Sequence, residues 1–196
     1  MKIEIRELKS SHLEETDKLF EKCLRDLLKR EGLSHDQQLF DEEVRRLERM
    51  VRESLTDDRI RFYAAFTGDS VVGTIALFEP GDLVRCGLTP EPGCLEVGGV
   101  YIHPDHQRQG VAQSLLAFAE DELLRLGHDF YYLDAGFKSS QQYWVSRFGN
   151  ADVLLRDYWG QGAHHMIWKR WLGGGEVRSF GCDGKVSVNE GIRGVE

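Results

Sequence analysis

The chain contains no Cys-x-x-Cys pair. Its four cysteines, Cys23, Cys86, Cys94 and Cys182, are scattered and form no closely spaced set with histidine, so a structural zinc site is not expected and no metal is required. The N-terminal stretch "MKIEIRELKSSHLEE" alternates and then turns acidic, unlike a secretory or transit leader, so reduced thiols are expected rather than a disulfide framework. No apolar run approaches the roughly 20 residues that span a bilayer, and a soluble, cytoplasmic protein with no membrane partner is expected. Positive charge is also scarce. Lys and Arg number 25 against 33 Asp and Glu, and the net charge of −8 argues against binding nucleic-acid phosphates while suiting a cationic substrate. Proline is rare, with four residues, all but one of them between Pro80 and Pro92, and no internal repeat is present.

What is there suffices for one ordinary domain: 196 residues, 41% of them apolar and 10% aromatic. Lys2 to Glu7 alternates as a short strand. Ser11 followed by Glu14 reads as a capping box, and Thr16, Phe20, Cys23, Leu24 and Leu27 mark one helical face ending near Gly32. A second helix is predicted from about Ser34 or Asp36, with Phe40, Val44, Leu47, Val51 and Leu55 inward and an outer face of Arg and Glu that reads as solvated. "IRFYAAF" and "VVGTIALFE" are strands joined by the turn "TGDS". The segment from Pro80 to Gly93 reads as a long loop of the kind that carries function.

Beyond it, Ala112, Leu115, Leu116, Ala119, Leu123 and Leu126 form the buried face of a helix stopped by Gly127. "DFYYLDA" is a strand, "SSQQYWVSRFG" a short helix, and "ADVLLRDYW" and "HHMIWKRWL" are strands. The expected architecture is mixed α/β, a central sheet with helices on its faces, over residues 1–172. Residues 173–196 read as a glycine-rich tail in which "KVSV" would add an edge strand.

The densest signal is "LEVGGVYIHPDHQRQGVAQSLL", a strand interrupted by Gly98 and Gly99 and followed by a helix that opens at Gly110. Glycine inside a strand marks a bulge or a close approach to the backbone. A strand running directly into a helix presents unpartnered N–H groups and the positive end of the helix dipole, an arrangement suited to a phosphate or pyrophosphate. Gly110 and Ala112 keep that turn open, and Arg108 adds charge. Neither the dinucleotide fingerprint nor a P-loop is present.

These residues resemble the GCN5-related N-acetyltransferase (GNAT) superfamily. The resemblance rests on "VVGTIALFE", on the strand–turn–helix just described with Gln107-x-x-Gly110-x-Ala112 behind Ile102-His103-Pro104, and on "YYLDAG" with "SQQYWVSRFG". It implies a mostly antiparallel, splayed sheet flanked by helices. It implies acetyl-CoA as cosubstrate, with the pyrophosphate on the backbone of Arg108, Gln109, Gly110, Val111 and Ala112 beside Gln107. The pantetheine arm would lie on Val100, Tyr101 and Ile102, and Ser139 or Ser140 would replace a missing asparagine in contacting the cofactor.

The implied reaction is acetyl transfer to a primary amine by direct attack in a ternary complex. The motif holds no cysteine for a covalent acyl-enzyme. Glu96 is the candidate base, with a structural or substrate-orienting role as its alternative. The family's tyrosine acid falls at Val145 here, which leaves Tyr143, Tyr101 or solvent for that task. His164 and His165 read as core or surface residues on opposite faces of a strand, with lining of the acceptor site by one of them as the alternative, and the tryptophans read as core or rim. The expected partner is a small-molecule or peptide amine, and a homodimer is left open. A non-catalytic acyl-CoA-binding module is the alternative function.

Overall fold

The computed structural model describes residues 2–173. All of the tail beyond Gly173, including "KVSV" and Cys182, lies outside the described residues. The elements are β1 (Glu4–Glu7), α1 (Leu13–Arg30), α2 (Gln37–Ser54), β2 (Arg61–Thr67), β3 (Ser70–Phe78), α3 (Asp82–Gly87), β4 (Leu95–Ile102), α4 (Val111–Arg125), β5 (Phe130–Ala135), α5 (Lys138–Phe148), β6 (Val153–Leu155) and β7 (His165–Trp171). One seven-stranded sheet in the order β1-β2-β3-β4-β5-β7-β6 carries them. Every neighbouring pair is antiparallel except β4 with β5.

Two cores divide the sheet's faces. Helices α1 and α2 lay Phe20, Leu24, Leu28, Phe40, Leu47 and Val51 against Phe62, Ala64 and Phe66 of β2. On the opposite face α4 presents Val111, Leu115, Leu116, Ala119 and Leu123 to Ile75, Val97, Tyr131, Leu133 and Trp168. The 3.6-residue spacing of these apolar positions selects the helices, and full burial of each large side chain stabilises the fold by roughly 1.5–3 kcal/mol. A smaller cluster of Val84, Cys94, Tyr132 and Ile167 seats α3.

Several local expectations are corrected. The Ser11–Glu14 capping box does not form: Ser10–His12 is a 3-10 turn, α1 starts after it, and His12 Nδ1 accepts from the Lys9 N–H at 3.1 Å. Helix α2 does use Asp36, whose Oδ1 accepts from the Leu39 N–H at 2.9 Å. The proline-bearing segment is not all loop, because Asp82–Gly87 folds as α3 over the buried Val84. Strand β6 is confined to Val153–Leu155, and the chain then turns at Asp157 with a φ of 53°. Leu126, expected in the core, is 38% exposed, because α4 ends at Arg125 and Leu126 is the helix cap.

Candidate active site

Strand β4 departs from regular pairing twice. Against β3, Thr74 stands opposite Tyr101 and Ala76 opposite Gly98, so β4 carries one extra residue between them. Gly99 absorbs it with a φ of +60°, a conformation that L side chains rarely adopt, and the Thr74 hydroxyl donates to the Gly99 carbonyl at 2.8 Å. Gly98 serves a different need from the bulge expected of it, close packing: a Cβ there would stand 2.7 Å from Cζ of Phe78.

Against β5, pairing covers only Leu95 with Tyr131 and Glu96 with Tyr132, although β4 continues to Ile102. The strands part there, and Val100, Tyr101 and Ile102, only partly buried, line the β4 side of the opening.

Beyond Ile102 the chain enters a turn fixed by its own polar side chains. Gln107 Nε2 donates to the Ile102 carbonyl at 3.2 Å, and Gln109 Nε2 to the Asp105 carbonyl at 2.8 Å. Arg108 and Gly110 are both left-handed, at φ 58° and 86°, and such alternation turns successive N–H groups toward one point. Gly110 is the N-cap of α4 and supplies no side-chain cap, so the amides of Val111 and Ala112 point out of the helix without an acceptor from it. A Cβ on Gly110 would meet nothing within 4 Å, which leaves the space over the turn open. This turn fits the pyrophosphate cradle expected of residues 107–112.

The start of α5 is held from another part of the chain. Its first amides are capped by a carboxylate from another helix end: Glu31, just past α1, accepts from Ser139 N–H at 2.8 Å and from Lys138 N–H at 3.3 Å. The Ser139 hydroxyl is buried and has no partner among the described residues, an orphaned donor consistent with a contact to the cosubstrate. Ser140 is partly buried beside it.

Glu96 closes the splay from below. Its carboxylate is 4% exposed, and Oε2 accepts from the Gly81 N–H at 2.8 Å. Burial, and then the negative charge of Asp134, push its pKa up to about 8 against the opposing pull of Gly81 N–H and Arg46. Tyr101 packs edge-on to Phe20, with ring centroids 5.6 Å apart, and burial raises its pKa above the ordinary tyrosine range. Tyr143 stands 39% exposed on α5 with its ring against Trp144. Trp144 and Trp168 are buried, whereas Trp159 and Trp171 are largely exposed.

Two residues that the sequence does not flag, Asp134 and Arg46, also enter this site, together with one of the paired histidines. Asp134, on the same face of the sheet as Glu96, is the lone acid of β5, a signal legible in "FYYLDA". Arg46, on the exposed face expected of it with 47% of its side chain accessible, also acts on Glu96 and Tyr101 by its charge while pairing with Glu43 at 2.8 Å. His165 is 2% exposed and sits 3.1 Å from Asp134. The Cys23 thiol, pushed up to about 12 by burial, is no nucleophile. Among the described residues no group of three or more His, Cys, Asp or Glu is placed to hold a metal ion, and no helix is long and apolar enough to cross a membrane.

Known structures share this fold. A Desulfovibrio desulfuricans protein assigned to the GNAT acetyltransferases superposes with a TM-score of 0.67 at 15% identity, over 88% of this chain and 100% of the other. The PaiA N-acetyltransferase of Thermoplasma acidophilum, in complex with coenzyme A, gives 0.64 at 18% identity over 87% and 99%. A spermidine N-acetyltransferase chimera from Vibrio cholerae and hSSAT gives 0.59 at 17% over 87% and 96%. The superpositions show a shared fold, and at these identities the fold alone. No curated protein sequence matches the chain. The profile of the Acetyltransferase (GNAT) family, however, matches residues 17–149, and with the splayed sheet and the Gln107–Ala112 turn in place, the chain belongs to the GNAT acetyltransferase family.

Proposed function

We propose that this protein is an N-acetyltransferase that moves an acetyl group from acetyl-CoA to a primary amine by direct attack in a ternary complex. The observation that carries the reading is the position of Glu96: a desolvated carboxylate at the last paired residue before β4 and β5 part, with its pKa raised toward neutrality. An alkylamine of pKa about 10.4 arrives protonated, and a base must take its proton before it attacks. A carboxylate of ordinary pKa is a weak base for that purpose; Glu96 in its dehydrated setting is a better one.

When bound, acetyl-CoA supplies the activated thioester. The chain's own residues do the rest. The amides from Arg108 to Ala112 bind the pyrophosphate, while Gln107 and Gln109 hold the turn in shape through Ile102 and Asp105. The backbone of Val100, Tyr101 and Ile102 aligns the pantetheine arm, and the Ser139 hydroxyl, with Ser140, contacts the cosubstrate. Glu96 takes the amine proton and releases it to solvent through the splay. Tyr143 is the proposed proton donor to the departing sulfur.

The test is release of free thiol from acetyl-CoA with a panel of primary amines, comparing wild type with Glu96→Gln. Turnover lost in the variant with acetyl-CoA affinity retained supports the reading. Cofactor binding by the wild type without turnover on any amine would replace it with an acyl-CoA-binding module.

A further inference from the structure

A polar chain runs from the surface to Asp134. The indole N–H of Trp159 donates to His165 Nδ1 at 3.2 Å, and His165 Nε2 lies 3.1 Å from Asp134 Oδ2. With Nδ1 occupied as an acceptor, the neutral ring carries its proton on Nε2, facing the carboxylate. That nitrogen is buried and makes no well-aligned hydrogen bond among the described residues, whereas the Asp134 side chain keeps 23% of its surface exposed.

The backbone around this chain is shaped for it. A Cβ on Gly136 would stand 3.1 Å from the Trp159 indole nitrogen and 3.3 Å from His165 Nδ1, so a larger residue there would have to push the pair aside. Gln141 Nε2 stands within 3.1 Å of the Ala135 and Gly136 carbonyls and 2.8 Å from that of His164, stapling the end of β5 to the start of β7. Trp159 is itself held by its N–H on the Ala163 carbonyl at 3.0 Å, in a turn where Asp157 Oδ1 accepts from Gly162 N–H at 2.6 Å. Packing alone gives no reason to set a 56% exposed tryptophan over a buried histidine.

Asp134 lies two residues beyond Tyr132, the register partner of Glu96, so both carboxylates project from one face where the strands part. The nearby cation, Arg46, has its guanidinium committed to Glu43. The two carboxylates therefore differ: Glu96 is dehydrated and held by Gly81, while Asp134 is partly exposed and stands 3.1 Å from His165 Nε2.

We propose that Asp134 binds the ammonium group of the acceptor beside Glu96, and that His165 and Trp159 are positioning residues that aim it. The inference rests on the amine-acetylation reading and narrows its substrate to aliphatic amines that are cationic at neutral pH. In the balanced reaction R–NH3+ and the thioester become the amide, the free thiol and one proton. The C–N bond forms as the C–S bond breaks; of the two protons the nitrogen loses, one reaches solvent through Glu96 and the other ends on the thiol. Asp134 loses and gains none, because its task is to hold the charged nitrogen before deprotonation.

The test uses 2-phenylethylamine, 1,4-diaminobutane and aniline, the last neutral at pH 7. Asp134→Asn is expected to raise KM for the two alkylamines about 10- to 100-fold, the loss of one charged hydrogen bond, without moving KM for acetyl-CoA or for aniline. Trp159→Phe, at an exposed position, and His165→Phe are expected to move the alkylamine KM the same way by a smaller factor, with His165→Gln restoring it. An alkylamine KM unchanged in Asp134→Asn, while Glu96→Gln still abolishes turnover, overturns the inference and leaves the activity standing. If the wild type acetylates none of the three, the activity reading falls, and calorimetry with 1,4-diaminobutane and CoA decides the inference alone: binding lost in Asp134→Asn supports it, and binding that is absent or unaltered overturns it.

Discussion

The carboxylate of Glu96 accepts a hydrogen bond from the backbone N–H of Gly81 at 2.8 Å, joining β4 to the N-cap of α3 fifteen residues earlier in the chain. The bond fixes one oxygen, and no side chain or backbone group among the described residues hydrogen-bonds the other. A dehydrated carboxylate oriented by one donor is a base that needs no reorganisation when an amine arrives.

Glu96→Gln keeps the Gly81 bond, since the amide oxygen also accepts, but removes the proton acceptor. The expected result is a fall in kcat of about 10²- to 10³-fold, within the range for losing a general base, with acetyl-CoA affinity unchanged by calorimetry. Wild-type kcat/KM should climb with pH until Glu96 is ionised, near pH 8. Asp134→Asn should move that climb to lower pH, because the neighbouring negative charge is gone while Arg46 and the Gly81 N–H still favour the ionised form.

Stability should run against activity at this residue. Glu96 is raised from 4.5 to about 8, so between those values the folded state holds a proton that the unfolded chain has lost. Stability then falls as pH rises through that window and is level above it. Glu96→Gln removes the slope. The variant should match wild type near pH 4.5 and melt several degrees higher at pH 8.5, each kcal/mol being worth roughly 2–4 °C at this chain length. Thermal melts at the two pH values check this, and equal differences at both would contradict the burial of a proton in the fold.

Gly110→Val should abolish cofactor binding. Gly110 sits at φ +86°, which a β-branched residue resists, and its open side is where the pyrophosphate is proposed to lie. A Cβ there meets no protein atom within 4 Å, so the fold itself should survive with a cost of a few kcal/mol or less. Calorimetry with CoA is the measurement, and unchanged affinity in a folded variant would place the cofactor elsewhere.

How much of this was legible in the sequence depended on whether the signal was local. The Gln107–Ala112 turn, the apolar faces of α2 as far as Val51 and of α4 as far as Leu123, and the glycine at the bulge are written into short stretches of chain, and they stand where the residues place them. Asp134, His165 and Arg46 were not legible as a group, because they lie far apart in sequence on β5, β7 and α2 and only the fold brings them near one another. His165 reads as one of two adjacent histidines, and only the folded register puts it, rather than His164, beneath Trp159. The Ser11 capping box failed for a related reason: a 3-10 turn packed through His12 against Phe66, at 4.9 Å, took the place of the expected cap.

The last prediction concerns the proton that reaches sulfur. A thiol of pKa about 8.5 leaves readily as the anion near neutral pH, so an acid contributes less here than a base does. Tyr143, exposed on α5, should therefore matter modestly: Tyr143→Phe is expected to lower kcat about 10-fold and to leave KM for the amine unchanged. Tyr101 makes a contrasting control. It is enclosed by Phe20 and its pKa lies above the ordinary tyrosine range, so it holds its proton at every working pH. Tyr101→Phe should alter kcat by no more than about 2-fold, a change too small for a lost proton donor. A reversal, with Tyr101→Phe the more damaging variant by steady-state kinetics, would move the acid from α5 to β4.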